Sequence, residues 1–320
     1  MKNIRLTNKT KLIISIALIV AAVIMIVAAV AINNIKPPDT SDARDGHIIR
    51  DEKVSSIGID RKEDFFTVLI VGIDAASNST DTIMLAAFDN NIKKMSILSI
   101  PRDTITNSNR ANKKINAAYV LGGKDIRALC KEVEGVTGIY PDKYALVSVE
   151  GFVDMIDAIG GVEVDVPIDM VYNDPTQDLT ISIKKGLQTL NGYDAMGFMR
   201  YRATYAEGDI GRIKMQHTFV DALIKKMLTP ATFAKVPSLA EIINDNVETD
   251  LSLGNEIWLG KQLLTMNLEQ DVVITMLPGY ANYYENLSYY FPDEAAILEI
   301  VNEHFNPYTT PIEELDIFEP

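Results

Sequence analysis

From Leu12 to Ile32 the chain runs through 21 residues of which only Ser15 is polar, and no other stretch restricts the fold as much. As a helix rising about 1.5 Å per residue, such a run crosses a hydrocarbon core of about 30 Å. Lys2, Arg5, Lys9 and Lys11 precede it with no acidic residue, whereas Asp39, Asp42 and Asp45 follow it. The positive-inside bias therefore predicts a cytoplasmic tail at 1–11, a transmembrane helix at 12–32, and all later residues outside the cell. Ala29-Val30-Ala31 resembles a small-residue cleavage site, but a cleaved signal has an apolar region of about 7–15 residues. An uncleaved anchor is the expectation.

Composition bounds what lies beyond the anchor. Removing the tail's four positive charges from the 30 Lys and Arg leaves 26 against 44 Asp and Glu, a formal charge of −18 on the external part. That charge excludes a nucleic-acid partner, as does the membrane between this region and the chromosome. Cys130 is the sole cysteine, so no intrachain disulfide forms and stability comes from packing. The 47% hydrophobic content is ample for that.

Polar residues 33–63, with Pro37-Pro38, read as an extracellular linker. At Phe65 the pattern becomes Phe-Phe-Thr-Val-Leu-Ile-Val-Gly, the continuous apolar run of a strand buried on both faces. Strands are also predicted at 82–88, 94–100, 144–149, 162–166, 179–183 and 272–277, and helices at 114–121, 125–136, 152–159, 191–200, 210–227, 253–266 and 292–305. Asp89-Asn90-Asn91 reads as a turn between antiparallel neighbours. The alternation predicts an α/β fold, a mixed central sheet with helices on both faces, as one folded unit at 64–308 followed by an acidic tail at 309–320.

Charged groups gather where these elements end. Asp74 follows the first strand and Asp81 precedes the next. Two carboxylates across one loop can face a hard cation such as Mg²⁺, or can satisfy backbone N–H groups of the turn. Pro101 ends the third strand and presents Arg102, which also has Asp103 and Asp81 as possible ion-pair partners. Residues 190–216 then bring Arg200, Arg202 and Arg212 into an acidic chain, with Gln216 four residues after Arg212 on one helix face. Arginine forks match phosphate oxygens, or pair with surface carboxylates. His217 reads as a surface helix residue. There is no Cys and His cluster for zinc, no P-loop and no Gly-x-Ser-x-Gly elbow.

In chain order, Val-Gly-Ile-Asp (71–74), Ser-Thr-Asp-Thr-Ile-Met (79–84), Ser-Ile-Pro-Arg-Asp (99–103), Lys-Ile-Asn-Ala-Ala-Tyr-Val-Leu-Gly-Gly (114–123), Gly-Gly-Val-Glu-Val-Asp-Val-Pro (160–167), Leu-Asn-Gly (190–192), and Arg-Tyr-Arg (200–202) followed by Gly-Asp-Ile-Gly-Arg-Ile-Lys-Met-Gln (208–216) resemble the LytR-CpsA-Psr family. The resemblance implies an extracytoplasmic α/β enzyme of a Gram-positive cell. It would transfer a glycopolymer of teichoic acid or capsule type from a polyprenyl pyrophosphate carrier to peptidoglycan. It implies that Asp74 and Asp81 hold Mg²⁺, that Arg102, Arg200, Arg202, Arg212 and Gln216 bind the pyrophosphate, and that the two aspartates with Arg102, Arg200 and Arg202 are catalytic. Two positions depart from the family pattern, since Ser79 and Met215 stand where arginines are usual. Two other readings stay open on sequence: a pyrophosphatase that uses water as acceptor, and a non-catalytic lipid-binding or signalling module.

Overall fold

The computed structural model describes residues 37–38, 60–74, 79–174, 179–201, 209–227, 229, 232, 246–252, 254–255, 258–259, 262 and 266–319. The expected anchor at 12–32 lies outside them. Among the described residues no helix is long and apolar enough to cross a membrane.

In chain order the first elements are β1 (Phe65–Asp74), β2 (Ser79–Asp89), β3 (Lys94–Ile100), α1 (Ala117–Leu121), α2 (Ile126–Thr137), β4 (Lys143–Ser148), α3 (Val149–Ala158), β5 (Val162–Val166), β6 (Met170–Asp174), β7 (Leu179–Ile183) and β8 (Gly186–Leu190). They continue with α4 (Gly192–Arg200), α5 (Asp209–Met227), β9 (Val247–Thr249), α6 (Leu268–Asp271), β10 (Val272–Met276), β11 (Gly279–Tyr284), β12 (Leu287–Pro292) and α7 (Glu294–His304). Six strands form one sheet in the order β10-β3-β2-β1-β4-β9. β10 runs parallel to β3, β2 antiparallel to β3, and β4 antiparallel to β9, so the sheet is mixed as expected. β1 lies inside this sheet with Phe65 to Val71 buried throughout. An interior strand covered on both faces has no use for polar alternation.

The residues fall into two compact units interleaved along the chain, Ile70–Thr82 with Ala145–Thr265, and Pro37–Leu69 with Ile83–Tyr144 and Met266–Pro320. In the unit that contains α3, α4 and α5, Ser148 caps α3 by accepting from Gly151 N at 3.1 Å, and Asn191 caps α4 by accepting from Asp194 N at 2.8 Å. Gly192 follows because a Cβ there would stand 2.3 Å from the Val153 carbonyl oxygen, so α4 packs on α3 only with glycine at that point. Its N–H donates to Asp157 Oδ1 at 2.7 Å. Phe219 of α5 meets Phe152 of α3 at 5.8 Å and Phe198 of α4 at 6.1 Å between ring centroids, joining the three helices.

In the other unit Asp125 caps α2, and Gly138 ends it in the left-handed conformation at φ 72°. Asp60–Lys62, assigned on sequence to the linker, are tied to the chain's far end: Lys62 N donates to Pro307 O and Thr309 N to Asp60 O, each at 2.9 Å. Arg61 reaches Asp142 at 2.6 Å with both side chains buried, and Asp142 also accepts from Thr67 N and Oγ1. Burial pushes the Asp142 carboxyl up, and Arg61 with the two Thr67 donors pulls it back. The acidic tail docks as well, with Asp316 N donating to Gly135 O and the Phe318 ring 4.8 Å from that of Tyr284.

Several expected boundaries move. The helix expected from Lys114 begins at Ala117, because residues 113–115 bond back to 104–106, Thr106 N to Lys113 O at 3.0 Å and Ile115 N to Thr104 O at 2.8 Å. The helix expected from Phe152 begins at Val149, where Ser148 caps it. Strands β6, β8 and β9 and the hairpin β11–β12 have no counterpart among the elements that the sequence predicts. Of the helix expected at 253–266, residues 254–255, 258–259 and 262 are described and helical.

Candidate functional site

β1 ends at Asp74, and β2, its neighbour in the sheet, starts at Ser79 with Asp81 as its third residue. The two aspartates therefore stand on adjacent strands on either side of one short connection. Their side chains lie outside the described residues, as do those of Ser79, Arg212 and Gln216. Arg202 lies outside them altogether. Among the described residues no group of three or more His, Cys, Asp and Glu is placed to hold a metal ion.

In the same unit Arg200 is the last residue of α4 and is buried at 6% exposure. Its Nη1 stands 3.2 Å from Met196 Sδ one turn back, among buried Ala195, Phe198, Met199 and Tyr201. The end of a helix carries partial negative charge, which favours a guanidinium. Taking that guanidinium out of water is costly without such compensation. Arg212 and Gln216 occupy α5, which packs against α4. His217, expected at the surface, is half-buried instead, and burial lowers its pKa, keeping the ring neutral at pH 7. Its helix packs inward through Phe219 and Val220, both fully buried.

Arg102 belongs to the other unit. Its loop is held at three successive carbonyls: Pro101 O accepts from Thr104 N and Oγ1, Arg102 O from Asn116 N at 3.2 Å, and Asp103 O from Tyr290 N at 2.9 Å. Asp103 Oδ1 lies 2.8 Å from Lys114 Nζ and 3.9 Å from Arg102 Nε. The Arg102 to Asp103 pair is thus the longer of the two and partly exposed, a weak constraint on Arg102. Lys114 joins the neighbourhood of Arg102 although a lysine before a helix reads as ordinary surface on sequence. Its signal is the Lys-Ile-Asn-Ala-Ala block, but only the return of residues 113–116 onto 102–106 brings it there.

Within one compact unit, Asp74 ends a strand, Asp81 lies near the start of the next, and Arg200 ends a helix. The oxygen donors of Asp74 and Asp81 are the type Mg²⁺ takes, and arginine forks neutralise phosphoryl oxygens.

The sequence matches the model of the LytR_cpsA_psr family over residues 33–306. It is 33% identical over 256 residues, 77% of this chain and 65% of the relative, to the polyisoprenyl-teichoic acid–peptidoglycan teichoic acid transferase TagV of Bacillus subtilis. It is 36% identical over 189 residues to the regulatory protein MsrR of Staphylococcus aureus, covering 58% of this chain and 56% of that one. The chain thus spans less than two thirds of the length of these relatives. The crystal structure of B. subtilis TagV superposes with a TM-score of 0.62 at 32% identity, covering 75% of this chain and 95% of that one. A structure of TagT bound to LI-WTA does so with a TM-score of 0.59 at 25% identity, covering 75% and 89%.

Proposed function

The chain belongs to the LytR-CpsA-Psr family, and on that premise we propose that it moves a glycopolymer of teichoic acid or capsule type from a polyprenyl pyrophosphate carrier to peptidoglycan. We place it as an enzyme held at the outer face of a Gram-positive cell membrane by Leu12–Ile32, with its sheet covered by helices on both faces. The observation that carries this reading is the family match over 33–306 together with the retained set of Asp74, Asp81, Arg102, Arg200, Arg202, Arg212 and Gln216. The teichoic acid transferase activity of TagV and the ligand of the TagT structure support it.

In the proposed reaction a sugar hydroxyl of peptidoglycan attacks the phosphorus that bears the glycan. A new P–O bond forms to the acceptor, the bond to the bridging oxygen breaks, and polyprenyl phosphate leaves with that oxygen. Phosphoryl transfer depends on positioning and charge neutralisation. The arginines and Gln216 orient the pyrophosphate and offset the charge that builds on the leaving phosphate. Asp74 and Asp81 would hold Mg²⁺, which supplies further neutralisation when bound. The aspartate that keeps an oxygen free of the metal takes the hydroxyl proton, because a metal-bound carboxylate is a poor base.

Replacing Arg202 and Arg212 together by alanine, in the full chain embedded in membranes, lowers the rate of polymer attachment at least ~100-fold, the scale for losing preorganised transition-state donors. Thermal melting stays at the wild-type value. A double variant that still attaches polymer at wild-type rate contradicts the assignment. Ser79 and Met215, which remove two usual arginines, favour a second reading, a module that holds the lipid without turning it over. Lipid binding without Mg²⁺-dependent turnover separates the two.

A further inference from the structure

Away from the residues assigned above, β5, β8 and α5 border an open groove of about 530 Å³. Glu163 and Asp165 line it from β5, Thr189 from β8, and Asp221, Lys225 and Lys226 from the last two turns of α5. Glu163 and Thr189 are opposite one another in the β5–β8 register, and the outward positions of β5 alternate with Val162, Val164 and Val166, which are buried. Asp221 Oδ2 and Lys225 Nζ pair at 2.8 Å with both side chains about half exposed. The volume falls in the range of small-ligand sites.

The lining decides what such a groove takes. It has no aromatic ring and only Val164 and Ala222 as apolar members, which does not suit a lipid chain. Three carboxylates against two ammonium groups leave an excess of negative charge, which repels a phosphate polymer. Side by side, the two charge types match a ligand that carries both an ammonium and a carboxylate, with the threonine hydroxyls able to bond amides or sugar hydroxyls. On the reading of the chain as a peptidoglycan-directed transferase, on which this step rests, the acceptor is such a molecule: its stem peptides bear free amines and carboxylates.

We infer that this groove is an acceptor exosite that binds a peptidoglycan stem peptide. Lys225 lies thirteen residues after Arg212 on α5, about 20 Å along a helix at about 1.5 Å per residue. A polymeric acceptor spans that distance, so one stem is held in the groove while a sugar further along the strand reaches the pyrophosphate.

The test titrates the full chain in detergent with a soluble disaccharide–peptide fragment carrying its free amine and carboxylates, by calorimetry. Wild type binds this fragment, an amine-acetylated fragment binds at least tenfold more weakly, and a glycerol-phosphate oligomer does not compete. The variants E163K/D165K and K225E, all at exposed positions, weaken fragment binding at least tenfold. They also raise the KM for peptidoglycan while leaving the KM for the lipid-linked donor unchanged. Absent binding to wild type, equal binding by the variants, or displacement by the phosphate oligomer overturns the inference. A wild type that binds the fragment but transfers no polymer retains the groove and refutes the transferase reading instead.

Discussion

Glu134, in the last turn of α2, has a buried carboxylate oxygen, Oε2, with no hydrogen-bond donor among the described residues. Burial raises its pKa to about 7 from the ordinary 4.5, opposed in part by Lys131. The folded protein therefore holds a proton that the unfolded chain has released between pH 4.5 and 7. Stability from this group is complete below that window and is lost as pH rises through about 7, by up to about 3 kcal/mol. Glu134→Gln, which needs no proton, should flatten the fall in melting temperature between pH 5 and 8 and raise stability at pH 8. An unchanged pH profile in the variant contradicts the assigned cause. The same scale separates what sequence shows from what it hides. Arg200 and Asp81 are legible as charges where an apolar pattern stops, whereas the burial of Glu134, in a helix with an ordinary polar face, depends on which elements cover it.

At the scale of elements, the approach of α4 to α3 turns on Gly192. The Leu-Asn-Gly block supplies a cap at Asn191 and a contact surface at Gly192, where a Cβ would meet the Val153 carbonyl at 2.3 Å. Gly192→Ala should cost about 1–3 kcal/mol by overpacking, measured by denaturant unfolding, and because α4 ends at Arg200 it should also weaken pyrophosphate binding. An unchanged midpoint removes the close approach as an explanation for glycine here. Elements with a strong local pattern were readable: β1 by its apolar run, β2 and β3 by their turn, α5 by its period. The hairpin β11–β12 was not, because Tyr-Ala-Asn-Tyr-Tyr and Leu-Ser-Tyr-Tyr-Phe do not alternate cleanly. Its turn carries Glu285 and Asn286 at φ 48° and 64°, the paired positive values of a tight hairpin turn, and only the asparagine hinted at it. β8 and β9, short and near the sheet margins, take their form from partners distant in sequence.

Across the whole molecule, the mixed α/β class and the family followed from blocks spread over the chain, since strand ends and helix ends are where chemistry interrupts packing. What sequence could not supply is the return of distant segments: residues 113–116 onto 102–106, Asp60–Lys62 onto 306–309, and Phe318 onto Tyr284 of β11 and Phe291 of β12. These depend on tertiary pairings with no local period. The proposed transfer has a correspondingly direct test. Membranes containing the full chain are supplied with a polyprenyl pyrophosphate-linked polymer, labelled in its sugars, and with purified peptidoglycan, with and without Mg²⁺. Label should become covalently attached to peptidoglycan through a phosphodiester only when Mg²⁺ is present, with polyprenyl phosphate released in equal amount. Label that stays on the lipid, or that is released to water at the same rate whether or not peptidoglycan is added, contradicts the account.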